Sequence, residues 1–239
     1  GRQEPFMLTF NNVRTLTELA GIVSKSLEPD SNDFQTYFYH QDTPEKYGFT
    51  SESFPSMFIP NSYEFYWTTS PEEFTQRMKR EYVAFWSGNR DQKAKAIGFT
   101  KVQISTLASI VDQETLHDDE NERIAGVFIN RLKRGIPLQS DPTIIFAAND
   151  FSIRRVLNIH KRIDSPYNTY LNKGLPPGPI SIPSVDAIDA VLDYEEHKYL
   201  YFCAKPDFSG YHNFARTLNQ HNKNARLYQK ALNRRKIFN

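Results

Sequence analysis

The spacing of apolar residues predicts a mixed first part of the chain. Met7–Phe10 forms a short apolar run that ends at two asparagines and predicts a strand. Apolar side chains then recur at helical spacing and predict an amphipathic helix over 14–27. Residues 28–62 show no period and are predicted to be irregular, and 63–67 predict another short strand.

The second part is predicted to be mainly helical, and its first helix has a clear start. Ser70 can cap it, Pro71 suits the first helical position and Glu73 completes a capping box. Further helices are predicted from Thr100, over 120–134, just after Pro142, from Ser184 to 192 and over 219–237, the last with a basic end at 234–236. The runs 199–204 and 211–215 predict a β-hairpin.

These elements predict an α+β fold in two domains. Residues 1–69 form a small α+β subdomain with an irregular insertion, and residues 70–239 form a mostly helical domain with a short β-hairpin. Four prolines and two glycines within 166–179 predict a stiff loop there rather than a flexible linker.

Composition narrows the function classes. The 239 residues carry a net charge of +1, which argues against a dedicated nucleic-acid-binding protein. A single cysteine excludes a disulfide within the chain, and Cys203 lies in an apolar strand, where we expect a core residue rather than a nucleophile. No apolar run is long enough to span a membrane.

Aromatic residues are abundant, at 14 % of the chain. They suit either a core rich in rings or a cleft whose rings stack on flat ligands such as sugars or bases. Rings at helical spacing are assigned to the core, namely Phe74, Phe85, Trp86, Phe128 and Phe146. Rings in the polar loops are candidates for a groove, namely Tyr167, Tyr170 and Tyr211.

One carboxylate occupies a position where the helical pattern calls for an apolar residue. Leu107, Ile110, Val111 and Glu114 share one face of a helix, whereas Asp112 points away from it. A carboxyl group on an apolar face has a raised pKa and can act as a general acid near neutral pH. The alternative is a Glu114 that is hydrated near a helix end or paired with an arginine such as Arg123 or Arg131.

No metal site or cofactor is predicted. The six histidines have no metal-ligand spacing, and the chain contains no glycine-rich loop of the kind that binds phosphate.

Several segments, in order along the chain, resemble the endolytic murein transglycosylases of the MltG/YceG-like type. They span roughly residues 58–232 and comprise FIPNSYEF at 58–65, LASIVDQET at 107–115, ERIAGVFINRL at 122–132, LQSDPT at 138–143, SPYNTY at 165–170, GLPPGPI at 174–180 and YHNF at 211–214. The match is weak over residues 1–57, which by analogy with the family would be a LysM-like subdomain that recognises glycan.

The resemblance implies an enzyme that cleaves the β-1,4 bond between N-acetylmuramic acid and N-acetylglucosamine in nascent strands. The product ends in 1,6-anhydromuramic acid, and the family's catalytic glutamate corresponds to Glu114. Gln139, Asn168, Tyr170 and His212 are candidates for binding the sugar. Asp141 either caps the short helix after Pro142 or contacts substrate.

Two other functions remain open from the sequence. A hydrolase would need a second carboxylate, for which Asp141 and Asp164 are the candidates. A scaffold without turnover would bind glycan through the N-terminal subdomain and an aromatic cleft.

The resemblance also implies partners and a location. Peptidoglycan strands are the expected substrate, and peptidoglycan synthases are implied as further partners. Family members are usually held at the extracytoplasmic face of the inner membrane by one N-terminal helix, so we expect that anchor to be missing from this chain. The basic end at 234–236 suits either a solvated helix end or an anionic polymer or lipid.

Overall fold

A computed structural model describes residues 4–235 and has the predicted α+β class. It divides into two compact units, the first made of residues 1–110 and 176–192 and the second of residues 111–175 and 193–239. This division does not coincide with the predicted boundary at 69/70, because residues 70–110 pack within the first unit. The assignment of residues 1–69 to glycan recognition and 70–239 to catalysis stays a prediction.

The first unit opens with elements packed around a strand pair. β1 (Phe6–Phe10) pairs antiparallel with β2 (Asn61–Phe65), so both predicted strands are present. The segment between them contains three helices and one 3₁₀ turn, namely α1 (Leu16–Val23), α2 (Ser31–Phe38), α3 (Thr43–Lys46) and the turn Phe54–Met57.

The prediction that residues 28–62 are irregular is wrong, because α2 and α3 lie there. Asp30 and Asp33 form a capping box, in which each backbone N–H donates to the other's carboxylate at 2.9 Å. Phe34 and Phe38, one helical turn apart, give α2 its buried face. An aspartate pair in place of the usual serine and glutamate concealed this start from the sequence pattern.

The aromatic excess is largely explained by the core of the first unit. Six buried phenylalanines contact one another with ring centroids 5.1–6.4 Å apart, namely Phe34, Phe38, Phe54, Phe58, Phe65 and Phe74. Among the rings predicted for the core, Phe74, Trp86 and Phe128 are buried, whereas Phe85 and Phe146 are partly exposed.

Three further helices of the first unit follow β2. The predicted capping box starts α4 (Pro71–Phe85), with the Glu73 N–H donating to Ser70 Oγ at 3.3 Å. α5 (Asn89–Ile97) was not predicted, since Ala94 is its one buried residue and its sequence lacks an apolar stripe. Thr100 starts α6 (Lys101–Val111), as predicted, by accepting from the Gln103 N–H at 3.2 Å.

Residues 176–192 return to the first unit. Ile182 forms a β-bridge with Val13, and Ser184 caps α9 (Val185–Leu192) as predicted. A Cβ atom added at Gly178 would lie 1.9 Å from the carbonyl oxygen of Glu52, so only glycine fits at this close approach.

The second unit carries the predicted hairpin and the remaining helices. β3 (Tyr201–Ala204) and β4 (His212–Ala215) pair antiparallel, and Cys203 on β3 is half-buried. The helices are α7 (Asn121–Lys133), α8 (Asp141–Ala148) and α10 (Leu218–Arg234), with 3₁₀ turns at Asp118–Glu120 and His160–Arg162. Gly135 ends the α7 region with a positive φ of 64°.

Two further predictions concern the C-terminal end of α10 and the absence of a membrane-spanning segment. The predicted end of α10 at residue 237, and Lys236 in its basic end, lie outside the described residues. Within residues 4–235, no helix combines the length and apolar character needed to cross a lipid bilayer.

Candidate active site

Glu114 lies in a turn just after α6, so the prediction that it is on the helix is wrong. α6 ends at Val111, and the Glu114 N–H donates to the Val111 carbonyl at 3.0 Å, closing a turn one residue shorter than a helical one. Thr115 favours this ending, because its Oγ1 accepts from the His117 N–H at 3.0 Å and so competes with helical hydrogen bonding.

Glu114 borders a cavity of about 320 Å³ in the second unit. Its apolar lining consists of Phe128, Leu138, Leu200, Phe202 and Leu218. Its polar lining consists of Glu114, Arg131, Gln139, Asp141, Tyr170, Tyr201 and His221. The cavity therefore joins four of the six predicted site residues: Glu114, Gln139, Asp141 and Tyr170.

Ser140 contacts the Glu114 carboxyl directly. It occupies the N-cap position of α8 but makes no side-chain cap hydrogen bond. Its hydroxyl instead donates to Glu114 Oε1. Residue type alone would assign Ser140 to helix capping, which is why sequence reasoning missed this contact.

The surroundings of Glu114 raise its pKa to about 7. Burial is the largest cause, since removal from water disfavours the charged carboxylate. The hydrogen bond from Ser140 opposes the rise, the negative charge of Asp141 adds to it, and the positive charge of Arg131 opposes it. A carboxyl with this pKa is present both protonated and ionised near neutral pH, as a group that donates and then accepts a proton requires.

Arg131 supports the segment that carries Gln139 and Ser140. It is 8 % exposed, and its Nη1 donates to the Leu138 carbonyl while its Nη2 donates to Gln139 Oε1 at 3.4 Å. Its guanidinium carbon lies 5.3 Å from the centre of the Tyr201 ring. Arg131 does not form an ion pair with Glu114 among the described salt bridges, so it acts on the carboxyl across space.

Asp141 and Tyr170 form a second polar pair at the cavity. The Tyr170 hydroxyl donates to Asp141 Oδ1 at 2.6 Å, and burial together with this bond raises the pKa of Tyr170. Asp141 is the first residue of α8, with Ser140 in the cap position, so the interpretation of Asp141 as the helix cap is wrong.

Asn168 is buried and lies outside the cavity lining. Its amide donates to the carbonyls of Lys161 at 3.1 Å and Ile163 at 2.7 Å, and its Oδ1 accepts from the Tyr170 N–H at 3.0 Å. These contacts hold the loop that presents Tyr170, and the structure offers no support for direct sugar binding by Asn168.

His212 also lies outside the cavity lining, on β4. Its Nδ1 is 2.8 Å from Glu120 Oε2 and its N–H donates to Glu120 Oε1 at 3.0 Å. Thr115 Oγ1 donates to the same carboxylate at 3.5 Å. His212 thus fastens the segment bearing Glu114 to the hairpin.

The other two groove candidates among the tyrosines pack on protein side chains. Tyr211 stacks on His117 with ring centroids 3.8 Å apart, and Tyr167 lies 4.6 Å from Phe146 by the same measure. Of the three loop tyrosines, Tyr170 is the one that lines the cavity.

His221 and Tyr201 are cavity residues that sequence reasoning missed. Their rings stack with centroids 5.3 Å apart, and burial lowers the pKa of His221. They come from α10 and β3, whose residues carry no local pattern typical of a site.

The cavity provides one carboxyl suited to proton transfer and a second that is already hydrogen-bonded to a tyrosine. Among the described residues, no group of three His, Cys, Asp or Glu side chains is arranged to hold a metal ion. Among the described side chains of the cavity, Glu114 is suited both to donate and to accept a proton near neutral pH.

Comparisons with known proteins identify relatives. The chain is 42 % identical over 131 residues to the endolytic murein transglycosylase of Bacillus subtilis strain 168, covering 55 % of this chain and 36 % of that protein. It is 40 % identical over 114 residues to the endolytic murein transglycosylase of Streptococcus pneumoniae strain D39, covering 46 % of this chain and 21 % of that protein. The chain thus spans well under half the length of these two relatives.

A solved structure and a family model extend the likeness to most of the chain. The crystal structure of a yceG-like protein from Listeria monocytogenes matches with a TM-score of 0.75 and 28 % identity, covering 92 % of this chain and 75 % of that one. The model of the YceG-like family matches residues 1–227. The chain therefore belongs to the YceG-like family.

Proposed function

We propose that this protein is an endolytic murein transglycosylase in which Glu114 is the single acid and base. The observation that carries the proposal is a carboxyl with a pKa of about 7 that opens on a cavity. The names of the Bacillus and Streptococcus relatives agree with this activity.

In the proposed reaction, Glu114 works first as an acid. Its proton moves to the glycosidic oxygen as the bond from that oxygen to C1 of N-acetylmuramic acid breaks. Positive charge develops at C1, and the 2-acetamido group of the same sugar is placed to stabilise it. The leaving product is a strand that ends in an N-acetylglucosamine hydroxyl.

Glu114 then works as a base. The ionised carboxylate takes the proton of the C6 hydroxyl, and O6 bonds to C1 to close the 1,6-anhydro ring. Because the nucleophile belongs to the substrate, positioning replaces the capture of a water molecule. Glu114 ends protonated, and no water is consumed.

Contacts at Asp141 favour this reaction over hydrolysis. A hydrolase needs a second carboxylate to activate water or to attack C1. Asp141 already accepts a hydrogen bond from Tyr170, and Asp164 lies outside the cavity lining.

Labelled water tests the assignment. Purified peptidoglycan is digested in H₂¹⁸O and the products are analysed by mass spectrometry. We expect anhydromuramic ends without ¹⁸O. Reducing ends that carry ¹⁸O would show a hydrolase and overturn the proposal.

We also propose that residues 1–69 recognise glycan. An open groove of about 1110 Å³ in the first unit supports this, because it is lined mainly by polar side chains of residues 28–72, among them Asn32, Thr36 and Tyr37. Asn32→Ala with Thr36→Ala in the full chain should weaken cosedimentation with undigested peptidoglycan, and unchanged binding would contradict a role for this groove.

The cellular setting follows from the substrate. We propose action in the bacterial cell envelope on nascent strands at the outer face of the inner membrane, beside peptidoglycan synthases, with strand termination as the outcome. Crosslinking the full-length protein in cells would test this, and recovery without any synthase would count against the partnership.

A further inference from the structure

Thr169 joins the two loops that form the polar side of the cavity. It is 1 % exposed and lies between Asn168 and Tyr170. The Gln139 N–H donates to its carbonyl at 3.1 Å, and the Ser140 N–H donates to its Oγ1 at 3.1 Å. Its Oγ1 is also 2.8 Å from Thr143 Oγ1.

The direction of these bonds follows from the donors available. The Thr143 hydroxyl donates a hydrogen bond to the Ser140 carbonyl at 2.7 Å. Its single proton is used there, so Thr143 Oγ1 can only accept from Thr169. Thr169 therefore donates to Thr143 and accepts from Ser140. The buried Thr169 hydroxyl therefore makes one hydrogen bond as a donor and one as an acceptor, and both bonds hold residues around Ser140.

The segment held by Thr169 is strained. Gln139 has a φ of 54°, in the left-handed region that costs a non-glycine residue free energy. Such a conformation persists when surrounding contacts over-determine it. The contacts of Thr169 and Arg131 fulfil that condition on either side of Gln139.

We propose that Thr169 is a positioning residue for the reaction and acts on Glu114 through Ser140. Thr169 lies outside the cavity lining, so it does not contact substrate in this role. Its two bonds aim the Ser140 backbone so that the hydroxyl meets the Glu114 carboxyl. The inference rests on the proposed function of Glu114.

The charged and titratable groups that act on Glu114 or line its cavity are Asp141, Arg131, Tyr170, Tyr201 and His221. A change at Thr169 alters none of their charges. A shift in Glu114 titration after such a change therefore reports the placement of Ser140 or of its neighbours on the same segment.

The test compares Thr169→Val, which keeps the shape and loses the hydroxyl, with Thr169→Ser, which keeps the hydroxyl. Glu114 is titrated by NMR of ¹³C-labelled glutamate carboxyls, assigned with Glu114→Gln, in the full chain. We expect Thr169→Val to move the midpoint to higher pH by about 0.5 to 1 unit, the worth of one hydrogen bond. Thr169→Ser should titrate like the parent.

A double variant isolates the route of the effect. Ser140→Ala should produce a similar shift, and Ser140→Ala with Thr169→Val should add little to it. An unchanged midpoint in Thr169→Val, or fully additive shifts, would overturn the inference. If Thr169→Val does not fold, Thr169→Ala removes the same hydroxyl together with the γ-methyl group, and Thr169→Ser remains the control.

Failure of this inference is distinguishable from failure of the proposed function. The titration requires no turnover, whereas the proposed function fails if Glu114→Gln still releases anhydro products or if the parent releases reducing ends that carry ¹⁸O. In kinetics, a positioning role predicts that Thr169→Val lowers kcat with little change in KM, and an effect confined to KM would contradict it.

Discussion

At the scale of single residues, the pKa of Glu114 is set by opposing neighbours. Burial and Asp141 raise it, whereas Ser140 and Arg131 lower it. In the proposed reaction the Glu114 carboxyl must be protonated at the start, so kcat/KM should fall as the pH rises through about 7. This fall is the alkaline limb of the pH–rate profile. Substituting a neighbour that lowers the pKa of Glu114 should move the limb to higher pH, and substituting one that raises the pKa should move it to lower pH.

Ser140→Ala should move the alkaline limb of kcat/KM to higher pH. The hydroxyl donates to the carboxylate and stabilises its charged form, so its loss raises the pKa of Glu114. No helix cap is lost, since Ser140 makes no side-chain cap bond. A pH–rate profile checks this, and a shift to lower pH would contradict it.

Asp141→Asn should move the same limb to lower pH. Removing the negative charge eases ionisation of Glu114, and the asparagine oxygen can still accept from Tyr170. Anhydro products should persist at a measurable rate. Abolished turnover in a folded Asp141→Asn protein would instead identify Asp141 as a second catalytic carboxylate.

Glu114→Gln should stabilise the protein above neutral pH. In the parent, the unfolded chain loses the Glu114 proton near pH 4.5 and the folded chain near pH 7, so folded stability falls across that window as the pH rises. The variant lacks this loss, and its advantage should grow from pH 4.5 to 7 to at most about 3 kcal/mol. Chemical denaturation at several pH values measures it; a constant difference across the window would be the contrary result.

At the scale of elements, the segment from Asp112 to Glu120 is held against the hairpin. Glu120 is 4 % exposed and accepts from both His212 and Thr115, and His117 stacks on Tyr211. β3 therefore lines one side of the cavity through Tyr201 and Phe202, whereas β4 holds the segment that carries Glu114 through His212.

His212→Ala should loosen this segment. It removes the imidazole that contacts the buried Glu120 carboxyl, while the backbone N–H of residue 212 still donates to Glu120 Oε1, and it should cost about 1 to 3 kcal/mol. Hydrogen exchange of residues 112–120 should accelerate, while α10 should remain protected. Glu120→Gln with His212→Gln is the matched control because it removes the charge as well as the partner; exchange unchanged in His212→Ala would contradict this account.

Elements with a strong local signal could be predicted from the sequence, and elements held by distant contacts could not. The capping box of Ser70 and Glu73 predicts the start of α4, and two short runs typical of strands predict the hairpin. α5 buries one residue and shows no stripe, and α6 ends early because of a local bond at Thr115. Helical spacing still predicted that Glu114 lies on the side of the apolar residues. Its side chain is partly buried although it lies one turn beyond the end of α6.

The lining of the cavity was predictable only in part, and the roles of its residues stay predictions. Glu114, Gln139, Asp141 and Tyr170 are among the predicted residues and line the cavity. Ser140, Tyr201 and His221 depend on how separate segments meet, and Asn168 and His212 are polar residues whose partners are in the protein. The sequence alone does not show whether a polar side chain lines the cavity or forms hydrogen bonds within the protein.

At the scale of the whole molecule, the chain leaves the first unit and returns to it at residues 176–192. That return depends on a close approach of Gly178 to the backbone of Glu52. This close approach therefore constrains how residues 176–192 pack within the first unit.

Gly178→Ala should lower the melting temperature, because the new methyl group meets the backbone of Glu52 and one of them must move. Gly21→Ala in α1 of the same unit is the control. A Cβ there meets nothing within 4 Å, so the variant should be more stable by about 0.5 to 1 kcal/mol. Calorimetry of both variants measures their melting temperatures. Equal shifts of the melting temperature in the same direction would contradict the close packing of Gly178 on Glu52.

In the reaction that we propose, Glu114 alone transfers the protons of the cleavage. The most direct test digests purified peptidoglycan with the parent, Glu114→Gln and the matched control Glu196→Gln, an exposed glutamate outside the cavity lining. Anhydromuropeptides are quantified by mass spectrometry. We expect the parent and Glu196→Gln to release them at similar rates, and Glu114→Gln to release them at least about a hundredfold more slowly. Release by a folded Glu114→Gln protein at the parent's rate would contradict this expectation.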